Sequence, residues 1–179
     1  VPHLTHWHHP SFHAYFSNSS SGPGVVADAV IAALNVNSML WTSSPAASAV
    51  EEIVIRWVCQ LIGYPDDADG VIVNGASLGT FYALAAARDA VPGLDARTKG
   101  VAGRPEVAAL RVYATAHAHS SVDKAVVALG VGLHNLVRVP CDKNLAMNPA
   151  ALADLIAADR RAGLTPVAVV ATDGTTATG

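Results

Sequence analysis

The chain has 179 residues, of which 51% are hydrophobic and 14% are charged, and its formal net charge is -3. This composition is sufficient for a substantial globular core, and its weakly acidic balance argues against nucleic acid or an anionic membrane surface as a partner. No apolar run approaches the roughly 20 residues that a membrane helix needs. Cys59 and Cys141 are far apart, so we expect neither a disulfide framework nor a cysteine zinc site, and we expect a cytoplasmic location.

Residues 1–24 are rich in His, Ser, Pro and Gly, and this composition predicts an extended N-terminal arm. Five of the eight histidines lie in this arm, at His3, His6, His8, His9 and His13. A histidine tract can bind a metal, but the arm holds no carboxylate and no rigid frame that would fix the ligands. We therefore expect no metal site there.

The rest of the chain alternates between strand-like and helix-like runs. Apolar spacings of three and four predict helices over residues 25–34 and 46–62, the second of which ends at Gly63. Further predicted strands cover 70–73, 111–115, 136–139 and 167–171, further predicted helices cover 78–90, 122–129 and 149–162, and 92–105 is predicted as a surface loop. This order is typical of an α/β fold with right-handed βαβ crossovers and a mainly parallel sheet covered on both faces. The chain stops directly after a polar run, so we expect it to be part of a longer polypeptide.

Two turns of small polar residues follow predicted strands. The turn from Asn74 to Thr80 opens a helix, where backbone N–H groups favour an anion such as phosphate. It matches neither the Walker pattern nor the GxGxxG fingerprint, and an ordinary turn with Ser77 as helix N-cap would have the same sequence. The second turn, Asp173 to Thr176, offers hydroxyls to the same edge of the sheet, although an ordinary turn would also explain it.

His119 lies between a predicted strand and a helix whose expected N-cap is Ser120 or Ser121. Ligands of open α/β sheets bind at the carboxyl ends of the strands, so the imidazole is a candidate to stack on a ligand; the alternative is that the histidine is incidental. Ser77, His119 and Asp173 could also be drawn as a catalytic triad, but no Gly-x-Ser-x-Gly elbow surrounds Ser77.

Taken together, the motifs resemble the group II pyridoxal-phosphate-dependent amino acid decarboxylases, the family of the aromatic-L-amino-acid decarboxylases. His6–Phe16 resembles the family's HWHxPxFxAYF arm, and Ser43–Ala46 with Glu51 resembles its SPA…E segment. The later matches are Gly70–Ser77 with Thr80 for the phosphate-binding turn, His119–Val122 for the AHSSVE/K motif, and Gly174–Thr176 for the GTT turn. These five motifs occur in the family's order.

The resemblance implies an incomplete fold-type I subunit. Residues 1–24 would form the arm, and residues 25–179 would form the first part of the cofactor-binding large domain. Its cofactor would be pyridoxal 5'-phosphate, with Ala76 and Ser77 on the phosphate, His119 stacked on the pyridine ring as the catalytic residue, and Thr176 on the opposite side. The substrate pocket would be lined by Trp7, Tyr15, Phe16 and Asn18.

The implied reaction is the decarboxylation of an L-amino acid, aromatic ones among the candidates, by a homodimer. The family's Schiff-base lysine lies beyond its GTT turn, and none of Lys99, Lys124 and Lys143 matches it, so we expect the 179 residues alone to be inactive. Two alternatives remain open. One is a noncatalytic fragment or binding module that keeps the phosphate-binding corner, and the other is an aldehyde synthase or other lyase of the same family.

Overall fold

The computed structural model describes residues 3–14, 20–65 and 67–176. The chain divides into two compact units, Val1–Ile72 and Val73–Gly179. No helix within the described ranges is both long enough and apolar enough to cross a membrane.

The first unit contains two helices, α1 (Gly22–Leu34) and α2 (Pro45–Ile62). Each begins after a serine whose hydroxyl accepts a backbone N–H: Ser21 accepts from Gly24, and Ser44 accepts from Ala47. Helix α1 starts three residues earlier than predicted, because a serine cap and a proline in the first turn together favour that start. Helix α2 ends at Gly63, as predicted, with a φ of +70°.

The predicted strand over residues 70–73 is wrong. In the described part of the chain this segment pairs with no strand. Two of its backbone N–H groups bind side chains instead: the Ile72 N–H donates to Glu51 Oε1 at 2.8 Å, and the Gly70 N–H donates to Asp69 Oδ1 at 2.8 Å. An apolar run predicts a buried segment, but Val71 and Ile72 are exposed here, and a strand also requires a neighbour to pair with.

The second unit is a small α/β structure. Its elements, in chain order, are α3 (Ala76–Asp89), α4 (Ala96–Lys99), β1 (Leu110–Thr115), α5 (Ser121–Ala128), a 3-10 turn (Leu133–Asn135), β2 (Leu136–Val139), α6 (Pro149–Arg161) and β3 (Thr165–Val170). The strands form a parallel sheet in the order β2-β1-β3. The predicted parallel α/β arrangement is confirmed, and the three strands lie within two residues of their predicted bounds.

The segment 92–105 is more ordered than the predicted surface loop. It contains helix α4, and the side chain of Leu94 is only 2% exposed. Arg104 donates to the backbone carbonyls of Leu94 and Gly100, which ties the segment to itself. The polar composition of the segment concealed its apolar contacts with the core, where Leu94 is buried and Ala96 and Val101 pack against the cluster.

Strand β1 sends alternate side chains to opposite faces of the sheet. Val112 and Ala114 belong to the main apolar cluster, which also includes residues of α3 and α5 such as Leu84 and Val126. Tyr113, fully buried, points the other way, and its hydroxyl donates to Asp159 Oδ2 of α6 at 2.6 Å. Helices therefore cover both faces, as the sequence predicted.

The contact with Asp159 has an electrostatic consequence. The Tyr113 hydrogen bond, together with a second one from Arg111 Nε at 3.1 Å, holds the pKa of the Asp159 carboxyl below its usual value despite partial burial. Burial raises the pKa of the Tyr113 hydroxyl, and the neighbouring carboxylate raises it further. The pair therefore stays in the form of a neutral phenol donating to a carboxylate.

Tyr113→Phe removes this donor and should lower the free energy of unfolding by about 1–2 kcal/mol at pH 7. Because the pKa of Asp159 is lowered in the folded state, its contribution is full above the unfolded value of about 4 and is lost as the pH falls through the folded value. The variant should therefore lose less stability on acidification than the wild type. Urea denaturation at pH 7 and pH 3 measures this, and an equal loss in both proteins would contradict it.

Candidate active site

Helices α3 and α5 lie side by side and run parallel. Thr80 Oγ1 is 3.3 Å from Ser121 Oγ, and Arg88 Nη1 donates to the Leu129 carbonyl at 3.2 Å. Both partners of the second contact are eight residues beyond those of the first, from 80 to 88 and from 121 to 129. The two N-termini therefore lie at the same end, and their partial positive charges reinforce each other.

The turn that opens α3 suits an anion. Gly75 is the N-cap, with φ +89° and ψ 149°, a conformation that is essentially restricted to glycine, and no side chain caps the first turn. Ala76 and Ser77 follow and are exposed. The alternative in which Ser77 is the N-cap is wrong, because Ser77 is already inside the helix. This first turn thus presents backbone N–H groups beside small side chains.

His119 is anchored to the first turn of α5. The Ser121 N–H donates to its Nδ1 at 3.1 Å. Ser120 is the N-cap, as one of the two predicted serines, but its side chain makes no capping bond. The imidazole caps the helix in its place, so the histidine has a structural role in this turn. Because Nδ1 is an acceptor, the proton of the neutral ring lies on Nε2.

This hydrogen bond excludes the triad that could be drawn from Ser77, His119 and Asp173. In a serine hydrolase triad the histidine Nδ1 carries a proton and donates it to the aspartate. Here Nδ1 receives the Ser121 N–H and has no proton to donate. The arrangement therefore favours ligand binding by the exposed imidazole over acyl transfer.

Arg138 of β2 is a residue that sequence reasoning missed. Its Nη1 donates to the Thr115 carbonyl, where β1 ends, at 3.2 Å, and its Nη2 pairs with Asp123 in the first turn of α5. The guanidinium therefore spans the turn that carries His119. Its partners are 23 and 15 residues away in sequence, and no local motif signals such contacts.

The turn that carries Thr176 leaves the same edge of the sheet. Strand β3 is parallel to β1, and Ala114 near the end of β1 pairs with Val170 at the end of β3. The segments that follow the two strands therefore leave the sheet at the same edge. Gly174 turns the chain with a φ of +70°, and Thr176 is exposed. A groove lies between α3 and β3 and is lined by Gly79, Thr80, Ala83, Leu84 and residues 168–171.

Within the second unit, the structure connects two of the predicted site residues. Ala76 is linked to His119 by hydrogen bonds through Thr80 and Ser121. Trp7 belongs to the first unit, where its ring lies 5.1 Å from that of Phe12. Tyr15, Phe16 and Asn18 lie outside the described residues.

The family model of the pyridoxal-dependent decarboxylase conserved domain matches residues 1–179. The chain belongs to this family. The predicted family and its pyridoxal cofactor are therefore confirmed.

Known members of the pyridoxal-dependent decarboxylase family are similar over nearly the whole chain. An aromatic-L-amino-acid decarboxylase of Sus scrofa is 37% identical over 98% of this chain, and a 4-hydroxyphenylacetaldehyde synthase of Rhodiola rosea is 32% identical over 100%. A crystal structure of Oryza sativa TDC with PLP superposes with a TM-score of 0.84 and 32% identity, covering 98% of this chain and 39% of that one. The fold-type I prediction is confirmed, and the chain spans 37% of the length of each of the two curated relatives.

The residues present fit pyridoxal phosphate. A phosphate needs N–H donors and room, and the first turn of α3 lacks a side-chain cap, while a Cβ placed on Gly75 would meet nothing within 4 Å. A flat ring needs a flat partner with a fixed orientation, and His119 is exposed and held at Nδ1. The hydrogen bonds through Thr80 and Ser121 connect the two.

Gly75→Ala should lower the free energy of unfolding by about 1–3 kcal/mol, because a Cβ at φ +89° strains the backbone although it meets no neighbour. Gly79→Ala is the matched control. It lies within α3, and its Cβ would lie 3.8 Å from Val73 Cγ2, an ordinary contact, so it should stabilise the chain by about 0.5–1 kcal/mol. Thermal or urea denaturation measures both changes, and equal effects of the two substitutions would refute the assigned conformation of the turn.

Proposed function

We propose that the polypeptide carrying these residues is a carboxy-lyase that uses pyridoxal 5'-phosphate to decarboxylate an L-amino acid, with aromatic amino acids as the first class to test. The observation that carries the proposal is the series of hydrogen bonds from Ala76 through Thr80 and Ser121 to His119. It connects a helix N-terminus suited to phosphate with an imidazole suited to a ring. The similarity to a pig decarboxylase that acts on aromatic L-amino acids supports the substrate class.

The roles proposed for the residues are supported by the resemblance of their motifs to those of the family. Ala76 and Ser77 hold the phosphate, His119 lies against the pyridine ring, and Thr176 contacts the cofactor from the other side. When bound, the cofactor supplies an electron sink for the pair of electrons left by departing carbon dioxide. The amino acid pocket is lined by Trp7, Tyr15, Phe16 and Asn18, an assignment supported by the resemblance of the arm to the family motif.

The anchored imidazole has a further role besides stacking. Because Nδ1 accepts the Ser121 N–H, the neutral ring carries its proton on Nε2, where it can be donated to a bound ligand. His119 therefore orients the cofactor ring and holds a proton at a fixed atom near it. The Arg138 contacts with Thr115 and Asp123 keep the turn that carries this ring in place.

The remaining machinery is proposed to lie in the rest of the polypeptide. Lys99, Lys124 and Lys143 are all exposed, and none occupies the family's position for the lysine that attaches the cofactor. We place that lysine beyond residue 179, in a homodimeric, cytoplasmic enzyme of amino acid metabolism. Residues 1–24 form its arm, and residues 25–179 form the first part of its large domain.

The direct test is release of carbon dioxide by the full-length polypeptide loaded with pyridoxal phosphate. Aromatic L-amino acids should release labelled carbon dioxide, and His119→Asn should lower kcat by about a hundredfold or more, the usual contribution of a positioned proton-transfer group. His117→Asn, two residues earlier in the same turn, is the control and should keep most of the activity. No release from aromatic, acidic or basic amino acids would indicate the noncatalytic binding module instead.

A second candidate is an aldehyde synthase, favoured by the 32% identity to the Rhodiola rosea 4-hydroxyphenylacetaldehyde synthase. Both candidates release carbon dioxide, so the organic product separates them. An amine in the product mixture supports the decarboxylase, whereas an aldehyde accompanied by ammonia supports the synthase. Mass spectrometry of the reaction with each aromatic amino acid decides between them.

A further inference from the structure

Two hydroxyl groups make a directed contact between α3 and α5. Thr80 Oγ1 donates its only proton to the Ala76 carbonyl at 3.0 Å, so in the 3.3 Å contact between the hydroxyls Ser121 Oγ is the donor. Ser121 is only 5% exposed. Water therefore competes weakly for its hydroxyl, and loss of the partner would leave a buried polar group unsatisfied.

Ser121 also carries the contact that anchors the imidazole. Its hydroxyl is directed to Thr80 of α3, and its backbone N–H is directed to His119 Nδ1. One residue thus connects the turn that opens α3 with the orientation of the ring. A displacement of Ser121 away from α3 would move the N–H that holds the ring.

We propose that Thr80 and Ser121 are positioning residues, which set the place of His119 relative to the turn at Ala76 and keep the ring proton on Nε2. Neither residue has to touch a ligand for this. The consequence for cofactor affinity rests on the proposed function, whereas the anchoring of the ring is a property of the folded chain.

A purely structural role for the pair can be separated by a second contact between the same helices. Arg88 donates to the Leu129 carbonyl at the other end of α3 and α5. If the helix pair only needs to be held together, loss of either contact should affect His119 equally. If Thr80 and Ser121 position the ring, only their loss should.

The test uses two variants with matched controls. Thr80→Val removes one hydroxyl with little change in shape, and Ser121→Ala removes the other. Ser120→Ala is the control for the serine, because Ser120 is exposed and its side chain makes no capping bond. Arg88→Met is the control for the helix contact. Thr80→Ser keeps the hydroxyl that Thr80→Val removes, so it should behave like the wild type.

The first measurement needs no cofactor. In the wild-type chain, nitrogen-15 spectra should show His119 with an unprotonated Nδ1 and a protonated Nε2. Hydrogen exchange of the Ser121 amide should be about twofold to tenfold faster in Thr80→Val and Ser121→Ala, as expected for the loss of one neutral hydrogen bond, and unchanged in Ser120→Ala and Arg88→Met. If Ser121→Ala does not fold, the comparison of Thr80→Val with Thr80→Ser gives the same answer.

The second measurement is the affinity of the full-length polypeptide for pyridoxal phosphate, determined by equilibrium dialysis. Both variants should bind about twofold to tenfold more weakly than wild type, and the double variant should be no weaker than either single one, because both lose the same bond.

The possible results are distinguishable. A proton on Nδ1 of His119, or an equal effect of Arg88→Met on the Ser121 amide, overturns the positioning role. If the full-length wild-type polypeptide binds no pyridoxal phosphate while the amide and tautomer results are as expected, the proposed function fails and the anchoring of His119 stands.

Discussion

The parallel contact between α3 and α5 is the constraint on which the candidate site depends. Helix α5 follows strand β1, so its N-terminus lies at the carboxyl edge of the sheet, whereas α3 follows no described strand and is aligned by its contacts with α5. The Thr80–Ser121 hydroxyl pair fixes this alignment at one end and Arg88 fixes it at the other. The helix that offers N–H groups to an anion and the helix that carries His119 are thereby joined at their first turns.

Strand β1 supports this arrangement through both of its faces. Its even-numbered residues pack against α3 and α5, and Tyr113 and Arg111 bind Asp159 of α6 on the other face. The end of the strand is held by Arg138, which reaches the Thr115 carbonyl from β2. The turn that carries His119 therefore begins at a point that is fixed by apolar packing on one face, by a partly buried polar network on the other, and by a neighbouring strand.

Local sequence signals were sufficient for most of the second unit and for the family. Periodicity located β1 to β3 and the long helices, and the motifs around Ala76, His119 and Thr176 led to the pyridoxal-dependent decarboxylases. Signals of this kind fail where the partner is distant in sequence. Segment 70–73, which pairs with no strand among the described residues, binds Glu51 through the Ile72 N–H 21 residues away, and the partners of Arg138 are 15 and 23 residues away. The imidazole cap on α5 was missed for another reason: it is a local contact, but propensity favours a serine cap there.

The most direct test of the central claim is a nitrogen-15 titration of the chain with pyridoxal phosphate, followed residue by residue. The account predicts that the amides of Ala76, Ser77 and Ser121 and the ring nitrogens of His119 shift together with one saturation curve, whereas inorganic phosphate shifts only the first two. Shifts confined to one of these turns at every concentration of pyridoxal phosphate, or shifts centred elsewhere in the chain, would contradict a shared ligand site.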